Sequence, residues 1–372
     1  MSKVLGQCVG LISGNEWRSV RMAVEHAFLR KNALAHIPII WRQTESYFGT
    51  LHREGKLNKG LIEPAADLKM LPFWVVAEVV YGDLSPEMIR ELIELAPLRE
   101  QLFRYVIEGG LARFSWSKHL PTKANRSLAG FQVRWKAFND LAYKRAVALG
   151  TNAPIVNMYE AVHGGHMELD QLYQTLDESL YANLDVTIGG ISWNLVFLAA
   201  YPEYQTSLLA EINAVHENGF DSYIQSSSTL LASCIYESSR LKPLAAFSVP
   251  QSAPTTRVVG GYIIPAGTNF VVDSYALNIR NEFWGHDSEK YRPERFLEKS
   301  NTELRYHFWR FGFGPRQCMG KYVADLMIRI LLVHVIRGYE LSFLSTEGEW
   351  KRNSHTWITH PDMTIRCVRR KT

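Results

Sequence analysis

The chain has 372 residues, 47% of them hydrophobic and 21% charged, and a formal net charge of +4. That composition is ordinary for a folded chain with a large buried core, and it excludes a disordered or fibrous one. The densest basic cluster, Arg366, Arg369, Arg370 and Lys371, has no aromatic-and-basic pattern beside it, so it reads as a solvated tail and nucleic acid is excluded as a partner.

At the N-terminus, the stretch from Met1 to Cys8 lacks the apolar run of a signal peptide. Four cysteines, Cys8, Cys234, Cys318 and Cys367, do not make a disulfide framework in a chain this long, and reduced thiols point to the cytosolic side. From Trp17 to about Tyr204 apolar residues recur at helical spacing, which predicts helices near 15–31, 67–81, 86–108, 129–149, 168–200 and 203–216. Gly109-Gly110, Pro121 and Asn152-Ala153-Pro154 mark breaks among them. In H-G-G-H, His163 and His166 have no third ligand nearby and read as a loop rather than a metal site. The best apolar run, Ile188 to Tyr201, falls short of the ~20 residues a membrane span needs, so it predicts a buried central helix and no span in this chain.

A further helix from about Ser227 to Arg240 stops before Pro243, which disfavours helical geometry at Lys242. The texture then changes. Arg257-Val258-Val259 and Tyr262-Ile263-Ile264 flank Gly260-Gly261 and predict a hairpin, with another strand at Asn269 to Val272. Pro293, Gly312, Gly314 and Pro315 break up a long irregular stretch before a last long helix, about Gly320 to Arg337, and a tail of short strands and turns from Tyr339 to Val368. The fold class is mainly α with a small β part, and residues 1–372 read as a single domain.

The segment from Phe311 to Gly320 reads F-G-F-G-P-R-Q-C-M-G. Gly312 and Gly314 let the chain turn tightly and approach a flat ligand without a side-chain clash. Cys318 is read at the start of the predicted helix, where free N–H groups and the helix dipole favour a thiolate. Arg316 adds a fixed cation suited to a carboxylate of the ligand. A lone cysteine is usually a small buried hydrophobe, but this one comes with the glycines and the arginine that metal–thiolate chemistry requires.

Elsewhere, Glu237 and Arg240 in Y-E-S-S-R-L-K-P share one helix face, and a buried pair of that kind is costly unless a further partner completes it. Y-R-P-E-R-F, Tyr291 to Phe296, offers Arg295. Near the N-terminus Trp17 and Arg21 share one face of the first helix. In A-N-L-D-V-T-I-G-G-I-S-W, Ala182 to Trp193, Asp185 is an acid in an apolar helix, where burying a carboxylate is expensive. Each of these alone is a weak signal, since a surface helix commonly carries such pairs.

Together and in this order, the motifs resemble the cytochrome P-450 family, from Trp17 to Gly320. The resemblance implies that fold with its N-terminal portion missing: the usual anchor and first strands precede the Trp17 helix in the family. It implies heme b as cofactor, with Cys318 as the iron's thiolate ligand, and Phe311 and Arg316 beside the heme. Trp17 and Arg21 would hydrogen-bond a propionate, and Glu237, Arg240 and Arg295 would lock the structure on the cysteine side. Asp185 and Thr187 would serve proton delivery. The family usually has glycine where this chain has Asn183, and threonine directly after the acid, where this chain has Val186. A one-residue shift turns a helical side chain by ~100°. Gln251 stands where many relatives carry an arginine.

On the same resemblance the chain is a monooxygenase that hydroxylates or otherwise oxidises a small organic substrate with O2. Its electrons would come from an NADPH-dependent flavoprotein reductase docking where Arg310, Arg316 and Lys321 provide positive charge. The text is most like fungal secondary-metabolite enzymes, with a mycotoxin-type substrate. Ala182, Asn183, Ala246, Phe247 and the loop around Thr356 would line an apolar pocket. The protein would be a monomer, and in full-length form would sit on the cytosolic face of the endoplasmic reticulum membrane. Two alternatives stay open: a heme-thiolate coupling or rearranging enzyme, motivated by Val186, and a truncated non-catalytic paralogue, motivated by the missing N-terminal portion.

Overall fold

A computed structural model describes residues 2–182, 184–344, 350 and 358–370. Asn183, Thr356 and Lys371 therefore lie outside the described residues. The chain divides into two compact units, Met1–Gln43 with Met70–Leu184, and Thr44–Lys69 with Asp185–Thr372.

The first unit is helical. Its longest helices, Pro86–Glu108 and Lys123–Ala148, pack on one another. Both starts are set locally: Ser85 accepts from the Met88 N–H and Thr122 from the Asn125 N–H, with Pro86 in the first turn, where its missing N–H costs nothing. The core is aromatic. Trp135 stacks between Phe131 and Phe138 and donates its indole N–H to the Tyr173 carbonyl at 2.8 Å, while the Tyr81 hydroxyl donates to Asn139 at 2.8 Å. A buried ion pair, Arg99 Nε to Asp177 Oδ1 at 2.6 Å, ties the Pro86–Glu108 helix to the Leu169–Asp177 helix.

The second unit is built on the Leu184–Ala200 helix, from which Trp193, Val196 and Phe197 pack with Tyr291 in one core cluster. Beside it run the Leu230–Leu241 and Lys321–Gly338 helices. Strand β1 (Leu61–Ile62), β6 (Tyr339–Phe343) and β7 (Ile365–Arg369) form an antiparallel sheet in the order β1-β7-β6. Two ribbons complete the β part: β2 (Gln251–Ser252) with β5 (Asn269–Phe270), and the hairpin of β3 (Arg257–Val259) and β4 (Tyr262–Ile264). The fold is mainly α with small sheets, as the sequence predicts.

Four details differ from the sequence reading. A helix at Ile37–Glu54 went unread, with Pro38 in its first turn. The break expected at Asn152-Ala153-Pro154 is present, but the helix that Pro154 begins, Pro154–His163, also went unread and carries His163 as its last residue. The stretch read as one helix over 168–200 passes through a π-helical turn at Glu178–Ala182. The basic C-terminal residues are not a tail: Arg366 and Arg369 are exposed positions of β7, the central strand of its sheet, and Arg370 donates to the Ile336 carbonyl at 2.8 Å. Among the described residues no single helix is long and apolar enough to cross a membrane.

Gly189 is what lets the Leu184–Ala200 helix pack closely. A Cβ there would meet the Thr359 carbonyl oxygen and Leu244 Cδ2, both at 2.9 Å, whereas one on Gly190 would meet Ile328 Cδ1 at an ordinary 3.5 Å. Gly189→Ala is therefore expected to destabilise by about 1–3 kcal/mol in denaturant unfolding, and Gly190→Ala by clearly less; equal effects would contradict this packing.

His334, on the Lys321–Gly338 helix, lies against Phe48 with ring centroids 4.7 Å apart, and its Nε2 is buried without a hydrogen-bond partner among the described residues. Burial pushes its pKa down from 6.5 to about 4. Between those values the unfolded chain binds a proton that the folded chain does not, so stability falls as pH drops through that window. The expected loss is on the order of 2 kcal/mol, and His334→Phe should lessen the fall in melting temperature between neutral and mildly acid buffer. An unchanged acid sensitivity would clear His334 of the effect.

Candidate active site around the Cys318 loop

All four cysteines are thiols, and three of them are inert by burial. Cys8, Cys234 and Cys367 are 0–1% exposed. Burial pushes the thiols of Cys8 and Cys234 far up and that of Cys367 up to about 12. Cys318 alone is exposed. It stands in the irregular loop that leads into the Lys321–Gly338 helix, two residues ahead of the N-cap Gly320, so it precedes the helix start rather than occupying it.

The loop's shape follows from its glycines. Gly312 and Gly314 have φ of 83° and 71°, left-handed values that a side chain resists. With these turns the Cys318 N–H donates to the Phe311 carbonyl at 2.8 Å, and the Gln317 N–H to Gly314 at 3.2 Å. Phe311 and Arg316 are half-buried on the loop, and Lys321 donates to the Gln317 side chain at 2.8 Å. At Gly320 an added Cβ would touch nothing within 4 Å. An exposed thiol with open space at a neighbouring glycine suits a flat ligand with a metal at its centre. The donor set fits a heme whose iron takes one thiolate.

Behind the loop lies a buried charged cluster. The Glu237 carboxylate accepts from Arg240 Nε at 2.7 Å and Nη2 at 2.8 Å, from Arg295 Nε at 2.9 Å and from the Arg292 N–H at 3.0 Å. All three side chains, Glu237, Arg240 and Arg295, are 0% exposed. The remaining guanidinium N–H groups are met by the carbonyls of Asn278, Trp284, Asp287 and Lys290 and by the Asp287 carboxylate, so the desolvated charges are paired and hydrogen-bonded.

Asn278, which sequence reasoning missed, carries this cluster to the loop. Its carbonyl accepts from Arg240 at 2.9 Å, its side-chain amide donates to the Trp309 carbonyl at 2.8 Å, and its side-chain oxygen accepts from the Trp309 N–H at 2.6 Å. The one signal in the sequence was an asparagine set between the apolar Leu277 and Ile279; that it is fully buried shows only in the fold. Arg310, read as exposed docking charge, is instead ion-paired to Asp325 at 2.5 Å with 11% of its side chain exposed.

The other sequence candidates are placed as follows. Trp17 and Arg21 lie in the first unit on the Gly14–Glu25 helix, both half-buried, with Arg21 Nε paired to Glu25 at 2.6 Å. Asp185 and Thr187 are half-buried on the Leu184–Ala200 helix, which follows the π-helical turn. Ala246 and Phe247 lie in the loop before β2, next to Ser274, which donates to the Ala245 and Ala246 carbonyls. Ala182 ends the π-helical turn of the first unit and packs on Val4, Leu5 and Cys8.

The family model for cytochrome P450 matches residues 2–367. Cytochrome P450 monooxygenase aclC of Aspergillus oryzae is 56% identical over 375 residues, covering all of this chain and 77% of that protein. Cytochrome P450 monooxygenase asaD of Aspergillus flavus is 52% identical, over 100% of this chain and 72% of its own length. Cytochrome P450 monooxygenase gliC of Aspergillus fumigatus is 40% identical, over 98% and 74%. Among solved structures, a crystal structure of a cytochrome P450 superposes with a TM-score of 0.81 at 20% identity, covering 100% of this chain and 86% of that one. A zebra fish cytochrome P450 with abiraterone gives 0.77 at 16%, with coverage of 100% and 86%.

Replacing Glu237 by Gln removes the one anion shared by Arg240 and Arg295 while keeping its shape. The expected cost is about 3–5 kcal/mol, because the buried Arg240 loses its counter-charge and Arg295 is left with Asp287 alone. Thermal unfolding of the purified variant checks this; a melting temperature equal to the wild type would mean the cluster is not stabilising.

Proposed function

The chain belongs to the cytochrome P450 family, and from that premise we propose that it oxidises a small organic substrate in a fungal secondary-metabolite pathway, with Cys318 as the iron's ligand. It is a monooxygenase with a heme-thiolate cofactor, and it uses O2, a small-molecule substrate and a redox partner. The observation that carries the assignment of Cys318 is its exposure in a glycine-shaped loop, while the other three thiols are buried.

When bound, the heme supplies oxygen activation, to which a thiolate contributes by pushing electron density toward the iron. The chain's own residues do the rest. In this reading Cys318 presents its sulfur at a fixed position, because its N–H is held by Phe311 and the loop is held by Asn278. Phe311 and Arg316 flank the group, with Arg316 for a propionate, and Trp17 and Arg21 serve the same purpose from the Gly14–Glu25 helix. Glu237, Arg240 and Arg295 keep the loop's support rigid. Asp185 and Thr187, on the Leu184–Ala200 helix, would hold and pass the protons that this chemistry consumes.

Residues 1–372 are read as one catalytic domain, active as a monomer. An NADPH-dependent flavoprotein reductase supplies electrons at a face marked by Arg316 and Lys321. In this reading the enzyme works at the cytosolic surface of the endoplasmic reticulum membrane. The position of Val186, directly after Asp185, favours a second reading, oxidative coupling or rearrangement without oxygen transfer.

Two measurements test this. The reduced holoprotein should show, with carbon monoxide, the red-shifted Soret band of thiolate ligation, and Cys318→Ala should abolish it. Persistence of that band in the variant would exclude Cys318, and failure of the wild type to take up heme would favour the non-catalytic reading. Turnover under labelled dioxygen should then place one labelled atom in the product; an unlabelled oxidised product would establish coupling or rearrangement instead.

A further inference from the structure

Beside the cysteine loop lies a second polar cluster whose charges do not cancel. Arg310 donates to Asp325 Oδ1 at 2.5 Å, and Arg329, 2% exposed, donates to Asp325 Oδ2 at 2.6 Å. Arg329 also donates to the carbonyls of Ile224 and Ser226 and to the Tyr236 hydroxyl. One carboxylate thus serves two guanidinium groups that never lose their protons, which leaves one positive charge in excess. The Arg310 guanidinium lies 4.5 Å from the Phe311 ring centroid and 5.3 Å from that of Tyr236, and its Nη2 is buried with no hydrogen-bond acceptor among the described residues.

A buried cation without a full complement of partners is costly, and an apolar residue or a matched ion pair would clamp this loop at less expense. A nearby anion offsets that cost. Arg310 precedes Phe311, whose carbonyl holds the Cys318 N–H at 2.8 Å, so the excess charge sits at the root of the loop that presents the sulfur. We propose that Arg310 is an electrostatic positioning residue whose excess positive charge raises the reduction potential of the iron held by Cys318. The inference rests on Cys318 being that ligand. When the reductase delivers one electron, ferric iron becomes ferrous and the site loses one unit of positive charge. A fixed cation nearby favours that change. Arg316 and Lys321, the other cations of the loop, stay in place in every variant below.

The test is a spectroelectrochemical titration of the purified holoprotein. Arg310→Met should shift the ferric/ferrous equilibrium about tenfold toward ferric, 59 mV for one electron. Arg310→Lys, which keeps the charge but not the fork, should recover most of that shift. Asp325→Asn removes the shared anion and should move the potential the opposite way. Opposite signs for Arg310→Met and Asp325→Asn carry the proposal, and Asp325→Asn against Arg310→Lys decides it should Arg310→Met fail to fold. Unchanged potentials with lowered thermal stability would overturn it and reduce Arg310 to a clamp. A wild-type holoprotein without the thiolate Soret band would instead overturn the reading of Cys318 on which it rests.

Discussion

A single carboxylate organises the second unit. Glu237 is fully buried and satisfied only because Arg240, Arg295 and the Arg292 backbone converge on it. A carboxylate taken out of water is unfavourable by many kcal/mol unless opposite charges and hydrogen bonds replace its hydration. The carbonyls of Trp284, Asp287 and Lys290 must therefore stand where the two arginines reach them, and this fixes the otherwise irregular chain between Asn281 and Arg295. The cation–π contact of Arg240 over Trp284, at 4.9 Å, closes the same cluster from the apolar side.

What this rigidity serves is a loop that cannot hold itself. Gly312 and Gly314 adopt left-handed backbone because nothing else fits there comfortably, and the same freedom makes the unanchored loop entropically expensive to order. Anchors stand at its root: Trp309 is held through both its N–H and its carbonyl by Asn278, and Arg310 is held by Asp325 of the following helix. Between them the hydrogen bond from Cys318 to Phe311 closes the turn. The thiol is exposed yet positioned, a combination that a flexible glycine loop alone does not give.

How much of this was legible in the sequence depends on the distance along the chain. The cysteine loop is local: its glycines, arginine and cysteine lie within ten residues, and their spacing carries the chemistry. Glu237 and Arg240 sit a helical turn apart on one face, so their pairing follows from spacing too. Arg295 lies 58 residues from Glu237 and came only by family resemblance. Asn278 and Asp325 were missed because a buried polar residue declares itself only when its neighbours are known; Asn278 meets Trp309 across 31 positions and Asp325 meets Arg310 across 15. The Ile37–Glu54 helix was hidden by its proline, whereas β7 lies among the short strands expected after Tyr339, with Arg366 facing outward and its neighbours Ile365 and Cys367 buried.

Asp185 shows how position changes the meaning of a residue type. Read along the sequence, an acid inside an apolar helix demands a special reason. In the fold Asp185 follows the π-helical turn at Glu178–Ala182 and is half-buried, not sealed in the core. A half-buried carboxylate escapes part of the cost of burial, and a proton-delivery role has to rest on what stands beside it. There the chain places Val186, which can neither donate nor accept, and puts the hydroxyl on Thr187, ~200° around the helix from Asp185 instead of next to it. The two groups therefore stand on different faces of the helix and would hold protons at different points. The coupling reading therefore rests on this short stretch alone, while the cysteine loop would serve either outcome.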